Sequence, residues 1–222
     1  RCEARCSTTG KWTDPVKVAA SKEFPLWNPV LIKLPNQDIV LFFKEGLSPK
    51  TWKGKMVRSF DGGLTWMWGP VALPSGVVGP TKNKPILLPD NVTIVAPSSS
   101  ESPRWSSHLE RSEDEGLTWT RGAPLDTHPD LPRGTQTIQP SLYIASNGHV
   151  CALARSHGVQ PSDRYVVHAC TADVGRTWIK AEMTDAPNPN SGLDAVRLRD
   201  GRLLMVHNNA HTTTTAREPI AG

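Results

Sequence analysis

Residues 59–66 read SFDGGLTW, and the stretch returns as SEDEGLTW at 112–119 and, more loosely, as TADVGRTW at 171–178. Its aspartates, Asp61, Asp114 and Asp173, are 53 and 59 residues apart. A period near 50 residues belongs to folds built from repeated supersecondary units, so the repeat constrains the architecture before any single strand is assigned. Within each copy the aspartate can accept hydrogen bonds from the N–H groups of a tight turn. The glycine (Gly63, Gly116 or Gly175) can supply a positive φ, and the tryptophan (Trp66, Trp119 or Trp178) can bury a large ring. All three roles are structural.

A hairpin pattern stands ahead of each copy: NPVLIKLPNQDIVLFFKEG from Asn28, NKPILLPDNVTIVAPSSSE from Asn83 and IQPSLYIASNGHVCALARS from Ile138. A fourth, SGLDAVRLRDGRLLMVHNN from Ser191, has no octapeptide after it. Short runs of Val, Ile and Leu, broken by turn pairs such as Asn147-Gly148 and Asp200-Gly201, read as antiparallel strand pairs. The next pair of strands flanks the octapeptide. Twenty prolines and seventeen glycines would break long helices but suit many strands joined by turns. The expected fold is therefore all-β: a β-propeller of four-stranded antiparallel blades repeating about every 55 residues.

Composition narrows the function. At 222 residues and 37% hydrophobic content the chain can build a real core as one domain, 1–222, of about four blade equivalents. Charges are mixed in sign, with a net +4 that mildly favours anionic ligands. No nucleic-acid motif is present, and no run approaches the roughly 20 apolar residues of a membrane span. Cys2, Cys6, Cys151 and Cys170 lack a paired C-x-x-C pattern. Cys151 and Cys170 lie in neighbouring strand-like runs and could be bridged, but buried free thiols are expected. His207 and His211 are four apart at a strand end, not on a helix, so neither metal nor cofactor is expected. No compartment follows from these features.

The chain resembles the sialidase-like family of Asp-box, or BNR, repeat propellers. The resemblance rests on the three octapeptides together with GPTKNKPI at 79–86, IQPSLY at 138–143, ARS at 154–156 and PNPNSGLDAVRLRDGR at 187–202. A six-bladed ring of that family needs on the order of 330 residues at this period. The expectation is thus an incomplete arc, truncated at both ends, in which Lys11 to Ala19 forms an outer strand. The alternative is a closed four-bladed ring whose N-terminal strand completes the last blade.

The repeat also locates a site. An antiparallel hairpin brings its open ends to one edge, opposite its turn, and in a propeller these edges converge on one face. Aligning the hairpins collects Lys84, Glu101, Gln139, Arg155, Asp194 and Asn208 there. Arg155 stands out, because an arginine ending the apolar run ALAR is costly unless it is paired or faces a ligand. Trp27 and Trp105 are the better candidates for stacking on a sugar.

The resemblance implies what such a pocket binds. Family members hold a sugar carboxylate with three arginines, protonate the leaving group with an Asp, and use a Tyr nucleophile activated by a Glu. Arg155 matches the second arginine and Arg217 the third. Gln139 stands where that Glu belongs, and an amide cannot take the tyrosine's proton. The nucleophilic Tyr, the acid Asp and the first arginine have no counterpart. The expected function is a sialidase-like, exo-acting glycoside hydrolase for a terminal acidic sugar, catalytically incomplete in this chain. Arg155, Arg217, Gln139, Lys84, Glu101, Asn190 and Asp194 would contact the glycan. The alternatives are a non-catalytic propeller that binds glycans or proteins, or other polysaccharide chemistry on the same scaffold.

Overall fold

Alternating burial along Lys53–Ser59 marks a strand with one covered face, whereas Ile39–Glu45, Ile94–Ser100 and Val150–His157 are buried on both. Strands covered on both faces belong at the centre of sheets that stack on one another. The computed structural model describes residues 2–4, 14–157, 164–210 and 220–221, and shows this arrangement.

Sheet I runs β3 (Leu26–Lys33), β4 (Ile39–Glu45), β5 (Lys53–Ser59) and β6 (Val71–Ala72), counting from β1 (Cys2–Ala4) and β2 (Val16–Ala19). Sheet II runs β7 (Ile86–Leu87), β8 (Ile94–Ser100), β9 (Ser106–Ser112) and β10 (Thr120–Arg121). Sheet III runs β11 (Gln136–Ile144), β12 (Val150–His157), β13 (Tyr165–Thr171) and β14 (Lys180–Pro187). Sheet IV has β15 (Asp194–Arg197), β16 (Leu203–Asn208) and β17 (Ile220–Ala221). Every pairing is antiparallel, and each of the first three sheets is a meander in chain order. Among the described residues the only helical pieces are two single 3-10 turns, at Pro49–Thr51 and Leu125–Thr127.

The core lies between consecutive sheets. Ile32, Val40 and Phe42 of sheet I pack with Ile94, Ala96 and Trp119 of the second repeat, the Phe42 and Trp119 rings meeting edge to face at 5.5 Å. Val95 and Leu109 pack with Leu142, Val150 and Ala152 across sheets II and III. Leu153 and Val166 meet Leu193 and Ala195 across sheets III and IV.

Val16–Ala19 pairs antiparallel with Cys2–Ala4 as a separate two-stranded sheet. It covers sheet I through Ala19 and Val18, which pack on Leu41, Phe43, Val57 and Trp66. Among the described residues neither strand pairs with β15, β16 or β17. The cysteines differ from the expectation. Cys151 and Cys170 are not free thiols but a disulfide, because the β12–β13 register sets them directly opposite with Cα atoms 4.1 Å apart.

Between sheets I and II lies a buried charged pair of elements. Lys44 of β4 is fully buried and donates to the Pro80 carbonyl at 2.6 Å, while Glu110 of β9 is buried across from it. Burial pushes the Lys44 ammonium down to about 7, and Glu110 pulls it partly back up. Below pH 7 both folded and unfolded chains carry this proton, and the burial cost is borne in full. Between pH 7 and the ordinary lysine value of 10.5 the folded state sheds the proton first, so stability rises with pH. Urea unfolding is expected to show a gain of about 1–3 kcal/mol between pH 6.5 and pH 9. Lys44→Met should flatten that rise; an unchanged slope in the variant would refute the assignment.

Candidate functional site

Each hairpin's open end and each octapeptide lie at opposite ends of a sheet. In sheet I, Leu26 pairs with Glu45 at the open end, whereas Arg58, next to the octapeptide, lies 3.6 Å from Asp38 in the hairpin turn. Asp61 accepts bonds from Ser59 Oγ and the Thr65 N–H, both at 2.8 Å, and from Thr65 Oγ1 at 2.6 Å. Asp114 receives the same set from Ser112 and Thr118, and Asp173 from Thr171 and Thr177. The bonds from Thr65 and Ser59 hold the Asp61 carboxyl down at about 2, a value unsuited to donating a proton near neutrality. Gly63, Gly116 and Gly175 have φ of 96°, 94° and 84°, and Trp178 Nε1 donates to the Ala123 carbonyl at 3.0 Å.

At the open ends, the first strands of successive sheets meet. Asn28 and Gln139 occupy equivalent places, each before a proline, at a break in strand register, and at positive φ of 45° and 54°. Bulges of this kind re-aim a side chain out of the ladder, and a left-handed backbone outside glycine is a strained choice that clusters at functional sites. The Asn28 amide bonds the Thr81 carbonyl. Thr81 Oγ1 meets Ser99 Oγ at 3.2 Å, and the Gln139 N–H donates to Ser99 Oγ at 3.3 Å. Asn83 Nδ2 donates to the Gln139 carbonyl at 3.0 Å. One continuous chain of hydrogen bonds thus joins sheets I, II and III.

Arg155, from the end of β12, lies on this platform. Its Nε donates to Asn190 Oδ1 at 2.9 Å and its Nη1 to Gln139 Oε1 at 3.2 Å, while the guanidinium carbon stands 5.1 Å from the centre of the Trp105 ring. Two amide oxygens and an aromatic face orient the fork. Beside it, Lys82 Nζ donates to Asn83 Oδ1 at 2.9 Å and to the Leu193 carbonyl at 3.0 Å. Partial burial pushes the Lys82 ammonium down; Asp194 opposes this, and the Arg155 and Lys84 charges add to it. Asp194 receives Lys84 Nζ at 2.9 Å and Ser141 Oγ at 2.7 Å. Burial would raise its carboxyl, but these bonds and the Ala195 N–H outweigh burial and hold it below the usual range. Among the described residues, Arg155, Lys82 and Lys84 thus lie around Asp194, which is committed to Lys84 and Ser141.

Of the residues expected at the site, Arg155, Gln139 and Asn190 form one cluster and Lys84 and Asp194 an adjoining pair. Glu101 follows β8 at the same end of sheet II, half-buried, and makes none of these bonds. Asn208 bonds Ser191 Oγ at 3.1 Å at the end of β16. Arg217 and His211 lie outside the described residues. Trp27 donates to the Gly46 carbonyl at 2.8 Å and leans on Trp52, so only Trp105 of the two stacking candidates touches the Arg155 cluster. Lys82, Asn83 and Ser141 are not among the residues that the hairpin alignment collects; the run TKNKP preceding β7 is the available signal for the first two.

Residues 3–221 match the BNR repeat-like domain family. Solved structures similar to this chain include a protein of unknown function from Dyadobacter fermentans, at 22% identity and a TM-score of 0.70, covering 89% of this chain and 61% of that one. An alpha-L-arabinanase from Penicillium chrysogenum complexed with arabinobiose is 19% identical with a TM-score of 0.63, covering 84% of this chain and 59% of that one. A Trypanosoma rangeli sialidase in complex with sialic acid is 16% identical with a TM-score of 0.63, covering 96% of this chain and 39% of that one. The chain thus spans about six-tenths or less of the length of each. No curated protein shows a sequence match. Among the described residues no helix is long and apolar enough to cross a membrane. The scaffold is one that glycoside hydrolases use, and the match over nearly the whole length assigns the chain to the BNR repeat-like domain family.

Proposed function

We propose that the four sheets form an arc of a β-propeller of the sialidase type, and that the face carrying Arg155 recognises the carboxylate of a terminal acidic sugar such as sialic acid. The observation that carries this reading is the Arg155 guanidinium, held by Gln139 and Asn190 over Trp105 where the open ends of the sheets meet. A planar fork fixed in this way suits a planar carboxylate, and Lys82 and Lys84 add long-range attraction for an anion. Trp105 supplies an apolar face for the sugar ring. Ligand recognition, not hydrolysis, is the expected activity of this chain, because Gln139 has no basic atom with which to activate a nucleophile.

The test is calorimetric titration with sialic acid, a uronic acid and arabinobiose, run beside an assay for release of a fluorogenic sialoside. Saturable binding of the acidic sugars with no turnover is expected. Preference for arabinobiose would favour a neutral-glycan reading instead, and turnover would restore the hydrolase. Gln139→Ala probes the cradle itself: it removes the acceptor that lies 3.2 Å from Arg155 Nη1. The guanidinium loses one of its two amide anchors, and sialic acid affinity should fall about tenfold. Unchanged affinity in this variant would mean that Gln139 does not orient the guanidinium for the ligand.

A further inference from the structure

A second cluster lies on the face of sheet III that meets sheet IV, where Tyr143 and Leu153 pack with Leu193, Ala195 and Met205. On it, Cys151 pairs with Cys170, Tyr143 with Cys151, and His168 with Glu182 across adjacent strands. Cys151, His168 and Cys170 present one ligand atom each, all within 4.8 Å of one another. His168 is oriented for donation through one nitrogen. Its Nδ1 lies 3.3 Å from Glu182 Oε1, and Glu182 is itself held by Lys180 at 2.8 Å. A carboxylate at Nδ1 fixes the proton there and leaves the Nε2 lone pair available, which is how metal-binding imidazoles are commonly set. Nε2 faces Cys170 Sγ at 3.5 Å and the Tyr143 hydroxyl at 2.8 Å. A tetrahedral zinc with Zn–N near 2.0 Å and Zn–S near 2.3 Å has an N···S edge of about 3.5 Å. The histidine and one sulfur already stand at that spacing.

We propose that reduction of the Cys151–Cys170 disulfide opens a site for a thiophilic divalent cation of the zinc class, with the two cysteine sulfurs and His168 Nε2 as ligands and the Tyr143 hydroxyl or a water as the fourth. A dithiol reductant supplies two electrons and two protons; the S–S bond breaks, two thiols form, and the reductant leaves as its own disulfide. Metal binding then expels both thiol protons to solvent as the two S–metal bonds and the N–metal bond form. Direct pairing of Cys151 with Cys170, with Cα atoms 4.1 Å apart, keeps both sulfurs at the site after reduction. The sequence hides this set because its ligands come from two strands, separated by 19 residues at the cysteines.

The proposal is tested on the full chain carrying Cys2→Ser and Cys6→Ser, so that no other thiols contribute. Cobalt(II) is titrated before and after treatment with dithiothreitol, which is removed anaerobically. One cobalt per chain is expected after reduction, with thiolate-to-cobalt charge-transfer bands and the intense visible absorption of a tetrahedral ion, and none before. Zinc should displace it stoichiometrically. His168→Ala should weaken binding at least tenfold, and Glu182→Gln about tenfold through loss of orientation, with melting curves of the oxidised variants confirming the fold. Absence of binding after reduction, loss of the fold on reduction, or undiminished binding in His168→Ala would each overturn the proposal.

Discussion

Arg155→Ala is expected to lower the affinity of the chain for sialic acid by about 10- to 150-fold, the worth of a charge-assisted contact of roughly 1.5–3 kcal/mol. Arg155→Lys keeps the charge but not the fork. It cannot reach Asn190 and Gln139 at once in the geometry that now presents two N–H groups side by side, so about tenfold of the loss should remain. The decisive comparison is on the ligand. The methyl ester of sialic acid has the same ring and no carboxylate, so the wild-type chain should prefer the acid and the alanine variant should bind both equally weakly. That pattern separates loss of a specific contact from general damage to the protein. If wild type binds acid and ester alike, recognition does not run through the carboxylate, whatever Arg155→Ala does.

Much of this arrangement is legible in the sequence. The octapeptide spacing gave the number of four-stranded sheets, and the turn pairs gave the hairpins, because both signals are local and depend on φ > 0 at named residues. Alignment of the hairpins placed Gln139 opposite Arg155, and a hydrogen bond joins them. The parts that stayed hidden depend on register or on neighbouring sheets. Ser106, His108, Glu110 and Ser112 alternate along β9 as a solvent-facing edge would, yet His108, Glu110 and Ser112 are buried because sheet I covers that face. Lys82 is a surface lysine, and that Leu193 beside the next sheet supplies its acceptor is not written in its local sequence. The Cys151–Cys170 bridge required the exact pairing of two strands, which composition does not specify.

Glu110 carries the largest expected effect on stability, and its role links packing to the site. Its carboxylate accepts the Val78 N–H at 3.0 Å, the Gly79 N–H at 2.7 Å and Ser98 Oγ at 3.1 Å, with His108 Nε2 at 3.2 Å. Lys44 bonds the next carbonyl, Pro80, and Asn28 the one after, Thr81. Residues 78–81 are therefore pinned from three strands, and they lead directly into Lys82, Asn83 and Lys84 at the candidate site. Glu110→Ala strands two backbone donors and a hydroxyl, and removes the charge that holds the Lys44 ammonium up, so the buried lysine sheds its proton near neutrality. The expected cost is about 3–5 kcal/mol in urea unfolding at neutral pH. Adding Lys44→Met to Glu110→Ala should recover little at neutral pH, because Lys44 is then already neutral and methionine adds no bond to Val78 or Gly79. A loss under about 1 kcal/mol would mean that water or a backbone shift satisfies these donors. Where the fold survives, the loosened segment should also weaken sialic acid binding without touching Arg155, since Asn83 holds the Gln139 carbonyl and Gln139 holds the guanidinium.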